Sequence, residues 1–336
     1  MKYSVVLRFS AALCGLILFS YNISAQLKWI NVDSLYQPLP SSVHIYFTDS
    51  PVDTGKFRAY YLIADLKDKR LEFTVDTTKD RRLTPSKFYD KNDKPLVVVN
   101  TSFFSFATNQ NLSVVIKNGE LLGYNIHTIN GRGKDTFTYR HVFTSALGID
   151  KRGRPHIDYL FTDSSLKFAY ASPNPVPVIT DSSTSVDADK IIAMKKDYTN
   201  RIGGIEKERV FKKWKMKTAV GGGPSLLNWG QIRVSNNEEL KFAGKSINDK
   251  HPRTAMGYTE DGKLIILMVE GRNKNAGGAT LTQLAQIFKD LDCVEALNLD
   301  GGGSSCMLVN GKETIRVSDA LGQRPVPAVF IIKQKE

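Results

Sequence analysis

The chain has 336 residues and a formal net charge of +12, long enough for a sizeable core in one large or two small domains. Its basic balance suits an anionic substrate or an envelope polymer. No nucleic-acid motif accompanies the charge, and no Cys/His set has zinc spacing, so a nucleic-acid partner and a structural zinc are both set aside.

The first segment reads as an address. MKYSVVLRFS carries Lys2 and Arg8, AALCGLILF is apolar, and ISAQ offers small residues at Ser24 and Ala25. Residues 1–25 are therefore expected to be a secretory signal peptide cut before Gln26. The apolar run is short for a membrane span, and Cys14 lies inside it rather than after it, which argues against a lipid anchor. The expectation is an exported protein of a bacterial periplasm or cell surface, without stable membrane insertion. Only Cys293 and Cys306 follow, and the sequence leaves a bridge and a pair of free thiols equally open.

Strands follow in quick succession. VHIYFTDSP, FRAYYLIADL, LEFTVDT and KPLVVVNTSFF are rich in β-branched and aromatic residues. Asn118-Gly119 in LSVVIKNGELLGY and Asn310-Gly311 in MLVNGKETIRV predict hairpins. Residues 160–217 are polar, with SPNPVPVITDSSTS expected as a surface insertion or flap. After the Asp261-Gly262 turn, GKLIILMVEG is a strand. Thr280 and Gln283 then form a capping box for a helix carrying Leu281, Leu284, Phe288 and Leu291 at helical spacing. A strand from Cys293 to Leu299 ends the unit. The fold class expected is α+β: mixed, strand-rich sheets with few helices.

Four polar-plus-glycine clusters adjoin strands: Asn100 to Phe104, Gly221 to Pro224, Glu270 to Arg272, and Asn298 to Ser304. Strand exits with glycine-rich loops are where backbone meets ligand. Gly301, Gly302 and Gly303 precede Ser304 without a P-loop lysine, and Gly222 and Gly223 lack dinucleotide-fingerprint spacing, so nucleotide sites are set aside. Glu270 and Asp300 each leave an apolar strand; adjacent parallel strands would bring them to one rim as a glycosidase-type carboxylate pair. Arg253, Arg272 and Arg324 supply forks for phosphate oxygens. His251 is the histidine nearest these clusters. No dedicated metal loop is present, so no metal is expected, although the oxygen ligands of Asp300 and Glu270 leave calcium or magnesium open.

NTSFF, AVGGGPSLLNWG, HPRTAMGYTEDGKLIILMVEGR, TLTQLAQIFKDL and EALNLDGGGSSCMLVNG occur in this order. Together they resemble the phosphodiester glycosidase family over about residues 44–332. The resemblance implies one catalytic domain over residues 26–336 that hydrolyses the glycosidic C–O bond of a sugar 1-phosphodiester. The products would be free sugar and a phosphate monoester. It also implies catalytic roles for Asp300 and Glu270. Substrate binding would fall to Asn100, Gly222, Gly223, Arg253, Arg272, Asn298, Gly301, Gly302, Gly303, Ser304 and Arg324. The chain departs from the family pattern in having Glu270 rather than aspartate, and Thr101-Ser102 rather than glycines. P–O cleavage of another envelope phosphodiester, or glycan binding without turnover, are the alternatives.

Overall fold

Every position from Leu264 to Val269 is apolar and buried, and that run is where three layers of the molecule meet. The computed structural model describes residues 26–79, 81–200 and 204–335; the expected signal peptide lies outside them. Leu264, Ile266 and Met268 enter a cluster shared with Val75, Val97 and Phe330 of one neighbouring sheet, and with Leu147 and Val220 of another. Ile265, Leu267 and Val269 face the opposite way, against Leu281, Leu284 and Phe288 of the helix Leu281–Asp290. A strand covered on both faces has no reason to alternate polar and apolar residues.

That strand belongs to an eight-stranded sheet. A five-stranded sheet contains Val97–Asn100, and a seven-stranded sheet contains Thr218–Gly221. A smaller sheet of Thr128–Asn130, Tyr139–His141 and Ile179–Asp181 stands apart from these. The architecture is mixed α+β and strand-rich, with few short helices. Among the described residues no helix is long and apolar enough to cross a membrane.

The local turn and cap signals operate as physical chemistry requires. Asn118-Gly119 (φ 54° and 86°) and Asn310-Gly311 (φ 48° and 78°) both take the left-handed backbone of a tight hairpin. Thr280 Oγ1 accepts from the Gln283 amide at 3.1 Å, and Gln283 Oε1 accepts from the Thr280 amide at 2.9 Å. The helix Pro85–Lys91, capped by Thr84, has no counterpart among the sequence expectations.

Two expectations need correction. Lys263–Val269 and Cys293–Asn298 are not adjacent: Arg253–Thr259 lies between them, antiparallel to both. The Asp261-Gly262 turn folds Arg253–Thr259 back as a hairpin that fills the slot before the helix returns. The outer two strands are thus parallel but two strand spacings apart, about 10 Å. Residues 160–217 are also not simply a surface excursion. Ala169–Ser172 and Lys212–Trp214 extend the seven-stranded sheet, with Ala169, Ala171 and Trp214 buried. Lys212–Trp214 is an edge of that sheet and Ala169–Ser172 the strand next to it. Lys195–Asn200 and Gly204–Arg209 form a two-stranded sheet among the described residues. Cys293 and Cys306 are free, buried thiols in separate clusters.

Leu284 is fully buried between helix and sheet. Leu284→Ala is expected to cost about 2–5 kcal/mol in urea denaturation. An unchanged midpoint would mean that this helix does not hold the sheet.

Candidate active site

One rim of the eight-stranded sheet collects the start of Arg253–Thr259 and the exits of its two neighbours, which carry Glu270 and Asp300. Asp300 is fixed by its backbone. Its N–H donates to the Thr101 carbonyl at 2.8 Å, and its own carbonyl accepts from Asn100 Nδ2 at 2.6 Å. Asn100 Oδ1 accepts from Thr254 Oγ1 at 2.8 Å and from the Cys306 amide at 3.0 Å. With no exposed surface, the Asn100 amide is committed to holding the loop rather than reaching outward.

A cleft of about 220 Å³ opens above this loop. Asp300 lines it together with Arg253, Arg272, Arg324, His251 and the wall residues Phe103 and Phe242. Arg253 is 2% exposed; its Nε donates to the Ala279 carbonyl at 3.0 Å and its Nη2 to the Asp249 carbonyl at 3.1 Å. Burial and the neighbouring Arg272 lower it to about 10, so it stays charged at neutral pH. Arg272 Nη2 donates to His251 Nδ1 at 3.3 Å. An arginine can only donate, so this bond requires an unprotonated Nδ1. Burial, then Arg253 and Arg272, lower the His251 pKa in the same sense. Among the described residues neither Arg253 nor Arg272 has a carboxylate within 4.0 Å, whereas Arg324 Nε donates to Asp319 at 2.7 Å.

The glycine triplet makes room for these side chains. A Cβ on Gly302 would lie 3.3 Å from both terminal nitrogens of Arg272, and one on Gly303 would lie 2.2 Å from Arg324 Nη2. Gly302 also sits at φ 62° and donates its N–H to the Pro252 carbonyl at 2.8 Å. The Gly301 amide lies near the Asp300 carboxylate and favours its ionised form. The Gly301 and Gly302 amides therefore serve the loop itself, and it is the guanidinium groups that face the cleft. Arg272 has φ 60°, a conformation costly for a long side chain and concentrated at functional sites.

Gly222 and Gly223 serve a neighbouring contact. A Cβ on Gly222 would stand 2.4 Å from the Asn298 carbonyl, so only glycine admits this approach of two backbones. The Gly223 amide donates to the same carbonyl at 2.8 Å, and Asn298 Nδ2 donates to the Gly223 carbonyl at 3.0 Å. Behind them Glu239 is buried, and its carboxylate accepts from the Ser145 and Ser225 amides, both at 2.8 Å, and from Ser235 Oγ at 2.6 Å.

Glu270 is on the expected rim but turned away from the cleft. Its Oε2 is 3.4 Å from Arg58 Nε, and its Oε1 accepts from the Arg316 amide at 3.1 Å. The second carboxylate therefore ties a loop to the sheet, while Asp300 faces the arginines. Lys241 was not visible from sequence. It sits 4.7 Å above the Phe103 ring and against Gly223. Burial lowers it to about 8, with Glu239 and Asp300 pulling the other way. It lies in the polar run VSNNEELKFAGKS, where the flanking Leu240 and Phe242 are the hint of a buried contact.

Burial raises the Asp300 carboxyl to about 7; Ser304, Arg324, the Gly301 amide and Lys241 pull it down without offsetting that. The Ser304 hydroxyl lies near Asp300 but makes no hydrogen bond of good geometry, and both it and Asn298 Oδ1 are buried without a partner among the described residues. Among those residues no group of three or more His, Cys, Asp or Glu side chains comes together to hold a metal.

Residues 170–333 match the phosphodiester glycosidase family, a segment that includes the Gly222, Arg253, Asp300 and Arg324 positions. Over that segment, just under half of its length, the chain is similar to that family. Among phosphodiester glycosidase relatives, N-acetylglucosamine-1-phosphodiester alpha-N-acetylglucosaminidase of Mus musculus is 34% identical over 93 residues, 27% of this chain and 18% of that protein. The SPbeta prophage-derived uncharacterized protein YomE of Bacillus subtilis is 39% identical over 146 residues, 44% of this chain and 19% of that protein. The chain thus matches about a fifth of the length of these curated relatives. The zebrafish N-acetylglucosamine-1-phosphodiester alpha-N-acetylglucosaminidase catalytic domain, auto-inhibited by its pro-peptide, shares the fold at 20% identity. Its TM-score is 0.56, over 92% of this chain and 89% of that one.

The raised Asp300 pKa has a stability consequence. The folded chain binds this proton more tightly than the unfolded chain, so the contribution is complete below 3.8 and is lost as pH rises toward 7. Asp300→Asn, neutral throughout, should gain stability relative to wild type between pH 4.5 and 8 in paired urea titrations. A difference that does not change with pH would show that Asp300 is not held protonated by burial.

Proposed function

We propose that this protein hydrolyses the glycosidic C–O bond of a sugar 1-phosphodiester, releasing free sugar and leaving a phosphate monoester on the other partner. The observation that carries the reading is one carboxylate, Asp300, facing the guanidinium groups of Arg253, Arg272 and Arg324 across a small cleft. The family match and the name of the mouse relative favour the same chemistry.

The division of labour follows from charge. Arg253 and Arg272 hold the non-bridging phosphate oxygens, because neither is neutralised by a carboxylate. As the C1–O bond breaks, its electron pair moves onto the phosphate, where fixed guanidinium groups stabilise the growing charge. A phosphate leaves readily, so no strong general acid is required. Water adds at C1, and the ionised Asp300 takes its proton, a task suited to a group titrating near neutrality. Asn100, Gly222, Gly223 and Asn298 position the carboxylate loop rather than touch the substrate. Gly301, Gly302 and Gly303 form the floor beneath the arginines. Lys241 adds positive charge beside Asp300, and Phe103 and Phe242 wall the sugar.

Residues 26–336 act as one catalytic domain in this reading. Residues 1–25 direct export, so the substrate is met in the periplasm or at the cell surface.

The test is a panel of sugar 1-phosphate diesters hydrolysed in ¹⁸O-labelled water. Label in the released sugar is expected; label in the phosphate would replace this reaction with P–O cleavage. Asp300→Asn should lower kcat by about 10²–10⁴, and kcat/KM of the wild type should climb to a plateau above pH 7. Turnover across the panel that survives the Asn substitution would remove Asp300 from the chemistry.

A further inference from the structure

The cleft does not end at Phe242. On the far side of that ring a groove of about 1040 Å³ runs over the sheet of Thr128–Asn130, Tyr139–His141 and Ile179–Asp181, and Phe242 belongs to the walls of both spaces. Ile129, Arg140 and Thr180 stand in register across the three strands, so they form one row along the groove floor. His141, next in sequence, turns inward and meets Asp181 at 3.1 Å. Arg132 lines the same groove from the turn between the first two strands. Arg132 and Arg140 are exposed, and neither has a carboxylate within 4.0 Å among the described residues.

The two volumes assign different tasks. Sites for drug-sized ligands run about 300–1,000 Å³, so the 220 Å³ cleft is sized for one sugar with its phosphate, whereas the groove is several times larger. The two guanidinium groups outnumber the one carboxylate of the lining, Asp135, and stand beside the hydroxyls of Thr128, Thr138 and Thr180, which suits a chain with repeated negative charge rather than an apolar one.

We propose that the groove binds the aglycone side of the substrate, an extended chain bearing further anionic groups, and that Arg132 and Arg140 set this specificity. The inference rests on the cleft being the sugar-phosphate site. Phe242 then marks the boundary between the two, and the scissile phosphate lies at the arginine end.

Binding tests it without turnover. Calorimetry with the full protein should show a short linear polyphosphate binding at least about tenfold more tightly than orthophosphate, because several charge-assisted contacts replace one. Arg132→Gln with Arg140→Gln should remove that preference. Lys67→Gln with Arg152→Gln, the same loss of charge on the opposite rim of the eight-stranded sheet, should retain it. Absence of the preference in wild type, or its equal loss in both double variants, would overturn the groove assignment in favour of plain net charge. In parallel, a sugar 1-phosphate methyl diester tests the cleft alone. If it is not cleaved while polyphosphate still discriminates the variants, the groove stands and the reaction falls. If it is cleaved and the variants bind polyphosphate alike, the reverse holds.

Discussion

The Asn100 side chain is the joint on which the rest of the rim depends. Its amide bonds reach Asp300, Thr254 and Cys306, residues 200, 154 and 206 positions away. They link a strand of the five-stranded sheet to the central strand and the carboxylate loop of the eight-stranded one. The bonds to Thr254 and Cys306 are buried and the one to Asp300 partly so, which makes them costly to leave unmade. A loop held by backbone bonds at Thr101 and side-chain bonds at Asn100 has little freedom to move its carboxylate.

Around that joint, glycine is used for space. Gly222 lets two strands approach at backbone distance, and Gly302 and Gly303 let Arg272 and Arg324 lie flat over the loop. Three positive groups and Lys241 are thereby crowded toward one acid. Their mutual repulsion costs free energy that an occupant carrying negative charge would recover. The bonds of Arg253 to two carbonyls and of Arg272 to His251 keep the forks aimed in the meantime.

What could be seen in the sequence was whatever short-range chemistry decides. The Thr280–Gln283 cap, the two Asn-Gly turns and the buried run after Gly262 each depend on a few adjacent residues. Asp300 and the three arginines were legible because strand exits with glycine gather at a rim. The direction of Glu270 was not, because it is fixed by Arg58, distant in the chain. Lys241 was hidden for a similar reason: in a polar run it reads as solvated until Phe103 and Gly223 close on it. Residues 160–217 misled because short strands that bury only small or isolated side chains, such as Ala169, Ala171 and Trp214, look like loop.

The two arginines without carboxylate partners bear on the end of the proposed reaction as well as its beginning. A phosphodiester carries one negative charge; the monoester left after cleavage carries close to two at neutral pH. In that reaction the same fixed forks would grip the product more firmly than the substrate. Departure of the monoester, and competition from other monoesters in the surroundings, would then govern the pace of the enzyme more than bond cleavage does.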